Sequence, residues 1–215
     1  MGKPLNSFYL VPFLGVDPET GRAIYLKKDG KTMTNDYDPN DRVTMSTSDA
    51  PFNGGITNNL RFKNLSLSFF WVFSYGNHLY NYALTNIEYP GYAMAGFSAR
   101  AMNAWTTPGQ ITNFPSLNDP FEDKTTRYLE NDRFWRLRNV IVSYNLPVRW
   151  CSKLGIASAR LFAQGQNLAT IYDVLALDPE ISTINSNLDE NSSADITGAQ
   201  YPPLKSVTFG LSVSF

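Results

Sequence analysis

One cysteine and one histidine, Cys151 and His78, leave this chain of 215 residues little for thiol or metal chemistry. A lone cysteine cannot form an intrachain disulfide, and it says little about compartment. A zinc site of the usual nitrogen and sulfur kind has no ligand set here, and His78 reads as a loop histidine just past a strand end. No apolar run reaches the ~18 residues of a membrane-spanning helix. Mean hydropathy is -0.26. Neither fact bears on a membrane β-barrel, whose strands are apolar only at alternate positions. The net charge of -1 lacks the basic excess of a nucleic-acid binder. The opening MGKPLNSFYLVPF has no basic region, long apolar core or cleavage site of a secretory signal. Asn6 stands where a myristoylation signal wants Ser or Thr. Read literally, that start describes a cytoplasmic chain; the alternative is a piece of a longer protein.

Catalytic patterns are missing too. There is no G-x-S-x-G elbow, and Gly54-Gly55 is not followed by the Lys-Ser/Thr of a phosphate loop. The acidic stretches at 36–42 and 187–195 read as solvated loops, and DYDPND lacks the Gly and terminal Glu of a calcium loop. Glu130 and Asp132 could in principle do glycoside chemistry, but alternation puts them on one strand face with nothing special around them. The sequence therefore predicts no catalytic set, no metal, no cofactor and no enzyme.

What is present is alternation. In residues 204–215, LKSVTFGLSVSF, the apolar Val207, Phe209, Leu211, Val213 and Phe215 alternate with Ser206, Thr208, Gly210, Ser212 and Ser214. Successive strand side chains point to opposite faces, so one face is apolar and the other small and polar. Residues 56–75 repeat the pattern as a hairpin, ITNNLRF and LSLSFFWVFSY about a Lys63-Asn64 turn. Leu65, Leu67, Phe69, Trp71, Phe73 and Tyr75 form one face. Residues 133–146 and 156–168 read as two more strands. In the first, Val140, Val142, Tyr144 and Leu146 share a face with Arg136 and Arg138. Residues 7–13 and 22–26 read as short strands, and KKDGK at 27–31 as an Asp-Gly turn. Tyr80, Ala83, Leu84 and Ile87 have helical spacing, residues 94–105 suggest a second short helix, and 106–124 a loop.

Connections alternate between tight ones (Lys63-Asn64, 147–154) and long ones (27–55, 77–124, 169–203). An up-and-down membrane barrel segregates short turns and long loops in this way. The pattern predicts an all-β fold, an antiparallel transmembrane β-barrel segment whose long extracellular loops contain short helices. A soluble β-sandwich that binds glycans through loop aromatics is the alternative. It requires the apolar faces at 65–75 and 205–215 to be buried in one core. On either reading Tyr80, Tyr82, Tyr89, Tyr92 and Trp105 are the candidate loop contacts to substrate or partner, since Tyr and Trp rings stack on sugars and anchor peptides.

The segments YLENDRFWRLRNVIVSYNLPVRWCSKLGIASARLFAQGQNLATI, GVDPETG (15–21), KNLSLSFFWVFSYGNHLYN (63–81), LDPEIS (177–182) and YPPLKSVTFGLSVSF carry a resemblance. In order and spacing they resemble the C-terminal barrel of SusC/RagA-family TonB-linked outer-membrane proteins, over essentially the whole chain. The resemblance implies that residues 1–215 supply the last strands of a large plugged barrel, with the plug and N-terminal strands absent. It implies a parent in the outer membrane that imports oligosaccharides or peptides. The implied partners are outer-membrane lipid, a SusD/RagB-like surface lipoprotein over the loops, TonB acting through the missing plug, and the barrel assembly machinery. Phe209 and Phe215 on the last strand are then the assembly signal.

Overall fold

The computed structural model describes the chain apart from residues 1, 5, 89–97, 119–120, 123, 176–177 and 181–201. The candidates Tyr89 and Tyr92 lie outside the described residues. The chain divides into two units, one from 1–50, 77–131 and 174–200, the other from 51–76, 132–173 and 201–215.

In the first unit, β1 (Ser7–Leu10) pairs antiparallel with β5 (Val43–Thr47). Strands β2 (Phe13–Val16), β3 (Ala23–Leu26) and β4 (Met33–Thr34) form a small meander. Two sequence expectations change here. The single strand over 7–13 is broken, because Pro12 has no N–H to give a ladder. Val11, fully buried, instead bridges to Thr125, and the two halves join different sheets. The long loop over 32–55 contains β4 and β5, and it yields its last residues to the first strand of the second unit. Its VTMST run is too polar to stand out, and its partner β1 is distant in sequence. The Asp-Gly turn forms as expected. Asp29 accepts bonds from the Thr32 hydroxyl and from the Thr32 and Lys31 amides. These lower its pKa to about 2.

Further along, β8 (His78–Tyr80) pairs with β9 (Leu129–Asn131). The expected helix is α1 (Tyr82–Glu88), and the buried Asn81 caps it by accepting from the Leu84 amide at 2.9 Å. The second expected helix is a 3₁₀ turn over Ala99–Asn103, which the Ser98 hydroxyl caps by accepting from the Arg100 amide; residues 94–97 lie outside the described set. Leu10, Val11, Tyr25, Tyr80, Leu84, Phe114, Phe121 and Tyr128 are among the residues of one buried core.

The second unit is one antiparallel sheet. Its strands are β6 (Phe52–Phe62), β7 (Leu65–Tyr75), β10 (Phe134–Asn145), β11 (Ser158–Tyr172) and β12 (Ser206–Ser214), in the order β6-β7-β10-β11-β12. Lys63 turns the first hairpin at φ 52°, the left-handed twist that two-residue hairpin loops require. One helical turn, α2 (Val148–Lys153), fills the other short connection as expected. Strand β11 runs to Tyr172, past its expected end at 168. Every long connection leaves and re-enters at one end of these strands, and both tight turns lie at the other.

A bulge corrects the expected faces of β10. Leu137 pairs with Trp71 but Asn139 pairs with Phe70, so Arg138 is an extra residue against β7. An inserted residue switches the parity of everything beyond it. Val140, Val142 and Tyr144 therefore share a face with Leu137 and Trp135, and Arg136 belongs to the opposite face. On β11 the irregularity falls at Asn167, which adopts φ 52°. Asparagine tolerates that left-handed backbone better than most residues.

Candidate functional surfaces

Register converts the alternation into rows across the sheet. Phe62, Leu65, Tyr144, Leu161 and Leu211 form one row. Leu60, Leu67, Val142, Ala163 and Phe209 form the next, followed by Asn58, Phe69, Val140, Gly165 and Val207. Ile56, Trp71, Leu137 and Ala169 then precede Gly54, Phe73, Trp135 and Ile171. Asn58 is the polar residue in these rows. The face is not covered: Phe209 is 79% exposed, Leu211 61%, Val207 60% and Leu65 44%. The soluble sandwich required these positions inside a core, and that expectation fails.

The eleven residues of β7 extend about 33 Å at ~3.3 Å per residue. At a tilt of about 40° that height becomes about 25 Å, the apolar band of an outer-membrane barrel. Aromatic side chains mark both ends. The Phe73 and Trp135 rings stack at 4.9 Å near Phe52 and Tyr75, and Phe62 and Tyr144 lie by the tight turns.

The opposite face carries Asn53, Thr57, Asn59, Arg61, Ser66, Ser68, Arg136, Ser143, Arg160, Gln164, Thr208 and Ser212 among its members. Arg160 donates to the Ser143 hydroxyl at 2.9 Å, and the Gln164 amide to Asn139 at 3.1 Å. Arg136 is almost fully buried and donates to Thr170 at 3.1 Å. Three phenylalanines interrupt this face, Phe70 over Gly55, Phe162 over Gly210, and Phe134 in the row of Asn53 and Ser74. A sheet with one apolar face and one hydrogen-bonded polar face separates two solvents.

In the first unit, charge is buried around Glu88, whose side chain is fully inaccessible. Arg100 and Arg127 both lie 3.1 Å from its carboxylate. The Arg127 guanidinium is surrounded by Phe13, Phe114, Phe121 and Tyr128, with ring centroids 4.7–5.6 Å away. It also donates to the Asn113 carbonyl. Asn81 and the Leu175 amide both bond to Glu130. His78 Nδ1 lies 2.6 Å from the Ser46 hydroxyl, a contact across 32 residues that the sequence did not show. Burial lowers the His78 pKa. Among the described residues no carboxylate is bonded to that ring.

The candidate contacts divide. Tyr80 is buried at 4% exposure against Tyr82 and Tyr128, so it packs the unit's own core and offers no surface; this corrects its reading as a contact. Tyr82 is 36% exposed. Trp105 lies over Gly21 so closely that a Cβ there would meet its ring at 2.3 Å, and its indole donates to the Pro18 carbonyl at 2.8 Å. It therefore fastens the 17–21 turn. Phe209 stands on the apolar face and Phe215, 94% exposed, follows β12. The sequence reading missed the buried Glu88 cluster, whose members are scattered over 40 residues, and the exposed apolar side chains of α2.

No family model matches the chain. Over its full length it is 28% identical to the TonB-dependent receptor P3 of Formosa agariphila, covering 22% of that protein. It is 28% identical to the TonB-dependent receptor P26 of the same organism over 83% of the chain and 19% of that protein. Among solved structures, the RagAB peptide importer in its open-open state superposes with a TM-score of 0.82 at 26% identity. That match takes in all of this chain and 23% of the importer chain. The chain thus spans about a fifth to a quarter of the length of these relatives. In sequence it is similar to the barrel region of TonB-dependent receptors, and it has the all-β antiparallel fold of the matching part of the RagAB importer.

Proposed function

We propose that these residues form part of the wall, the extracellular loops and the C-terminal assembly signal of an outer-membrane TonB-dependent transporter that imports oligosaccharides or peptides. The observation that carries this reading is the two-faced sheet, apolar and uncovered on one side, polar and hydrogen-bonded on the other. Lipid satisfies the first face and an aqueous lumen the second. Strands β6 and β12 end the sheet with open edges. Unpaired backbone groups facing lipid cost several kcal/mol each, so the rest of the barrel must pair with them. The long connections then face outward, where Tyr82 is the described candidate for touching substrate or a RagB-like lipoprotein. Energy reaches the parent through TonB acting on a plug, and Phe215 with Phe209 addresses the strand to the assembly machinery.

A pair of substitutions tests the reading. Val142→Arg puts a charge in the apolar rows, and Gln164→Arg puts the same charge on the polar face. In a barrel the first, one row inside the turn-side end of the apolar band, costs about 1–3 kcal/mol, between the interfacial and midplane values, and the second little. The expected result is loss of the heat-modifiable, membrane-inserted form for V142R alone. Were the sheet part of a soluble module, V142R would instead raise solubility without loss of fold, and the proposal would fail.

A further inference from the structure

The tight-turn end of the sheet has a chemistry that the barrel reading does not require. On α2, Val148 is 74% exposed, Trp150 57% and Leu154 69%. Only Cys151 turns inward, at 1% exposure, with its thiol against the Leu146 carbonyl. Trp150 and Leu154 are four residues apart and so lie on one stripe of the helical turn, with Arg149 and Lys153 on the neighbouring stripe. The other tight turn adds Lys63, whose ammonium sits 5.3 Å from the ring of the exposed Phe62. Arg61 and Arg160 come from the adjoining strand ends. Residues 58–68, 141–163 and 207–214 thus hold five cations and no Asp or Glu side chain. At the other end of the sheet Asp132 and Asp173 accompany the cations, and Arg133 pairs with Asp173.

Resting on the reading of the sheet as a barrel wall, we infer that the α2 turn is a binding site for anionic phospholipid headgroups of the leaflet at the short-turn side. Trp150 and Leu154 lie in the short connection between Tyr144 and Leu161, which close the apolar rows at this end, and so at the depth where an indole sits at a bilayer boundary. Arg149, Lys153 and Lys63 stand at headgroup level beside them, with long stems that allow the charges to reach phosphate. An aliphatic and aromatic stripe edged by cations that pair with no Asp or Glu side chain among the described residues is the pattern of a helix lying in an anionic membrane surface. A purely structural turn has no need of three exposed apolar side chains next to two such cations.

The test uses the full transporter containing this chain, reconstituted in vesicles of phosphatidylcholine and phosphatidylglycerol. Bromine is placed on the acyl chains of one lipid or the other. Tryptophan quenching is compared between the native protein and Trp150→Phe, so that the difference isolates Trp150. The expected result is stronger quenching of Trp150 by brominated phosphatidylglycerol than by brominated phosphatidylcholine. Arg149→Gln and Lys153→Gln should each reduce that preference by about fivefold, the worth of one cation at an anionic surface. Equal quenching by the two lipids, or a preference unchanged in R149Q/K153Q, overturns the inference. Trp71 and Trp135 serve as the internal standard. If they are quenched and Trp150 is not, the headgroup site fails while the wall stands; if none is quenched, the wall reading itself fails.

Discussion

Replacing Arg127 with methionine tests whether the first unit is held by a buried ion cluster. The Arg127 side chain is 4% exposed and Glu88 is 0%, while Arg100, the second cation, is 43% exposed. Removing one partner of a buried pair costs about 3–5 kcal/mol, because the remaining charge is left without compensation. Arg100 still reaches Glu88, although from a wetter position, and methionine keeps favourable contact with the four rings. These two effects place Arg127→Met near the lower bound, about 3 kcal/mol. Hydrogen–deuterium exchange of peptides covering 82–88 and 126–131, in the membrane-embedded protein, reads that loss as about hundredfold faster local opening. Glu88→Gln/Arg127→Met removes the stranded charge as well, and should recover about 2 kcal/mol relative to the sum of the single variants. If the double variant exchanges as fast as additivity requires, the charges do not interact as argued, and the four-ring cage alone holds Arg127.

Three more outcomes follow from particular contacts. A Cβ on Gly210 would lie 2.2 Å from the Phe162 ring; Gly210→Val should cost about 1–3 kcal/mol, read from the temperature of the heat-modifiable transition, with Gly210→Val/Phe162→Ala recovering part of it. Burial holds the His78 pKa below its ordinary value, so the unfolded chain binds the proton more tightly; stability is full above the ordinary value of about 6.5 and declines as pH falls from there toward the lowered one. Exchange protection of 78–80 should follow that sign, and His78→Gln should flatten it; a gain in protection on acidification would refute the argument. Trp105→Phe removes the bond to the Pro18 carbonyl while keeping a ring over Gly21, a loss of about 1 kcal/mol, visible as faster proteolytic nicking at 17–21.

The sheet was readable in the sequence because one face of every strand meets a single kind of surroundings. Leu65 to Tyr75 and Val207 to Val213 announce themselves by strict alternation, and a two-residue connection at Lys63-Asn64 permits only a hairpin. Strand β10 was misread in part because one extra residue, Arg138, changes which positions face out. Alternation has no way of signalling a bulge unless the partner strand is known. The loop unit was far less legible. VTMST pairs with SFYL across more than 30 residues; SFYL reads as strand, but nothing in the polar VTMST marks it as its partner. Glu88, Arg100 and Arg127 look like solvated loop charges until three separate segments bring them together. Tyr80 and Trp105 were picked out by residue type, yet their contacts show them serving the unit's own packing.

The two units meet the cost of ordering their chains by different means. The loop unit has a buried cluster of its own, from Leu10 and Val11 to Phe121 and Tyr128. In the sheet unit, the buried apolar residues among those described are Phe134, Cys151 and Ala159. A single layer of strands with so little inside it has no core to drive folding in water. Its stabilisation must come from backbone ladders and from whatever covers Phe209, Leu211 and their row mates. If that covering is lipid, denaturant-free removal of detergent should unfold or aggregate the sheet while leaving protection around 78–88 and 126–131 in place. A soluble partner would leave the opposite signature, with the sheet protected in water once the partner is bound. The division of aromatics fits the first case: Tyr25, Tyr80, Phe114, Phe121 and Tyr128 of the loop unit pack against one another in its core, whereas Phe62, Tyr144, Phe73 and Trp135 stand at the two ends of the sheet's apolar band.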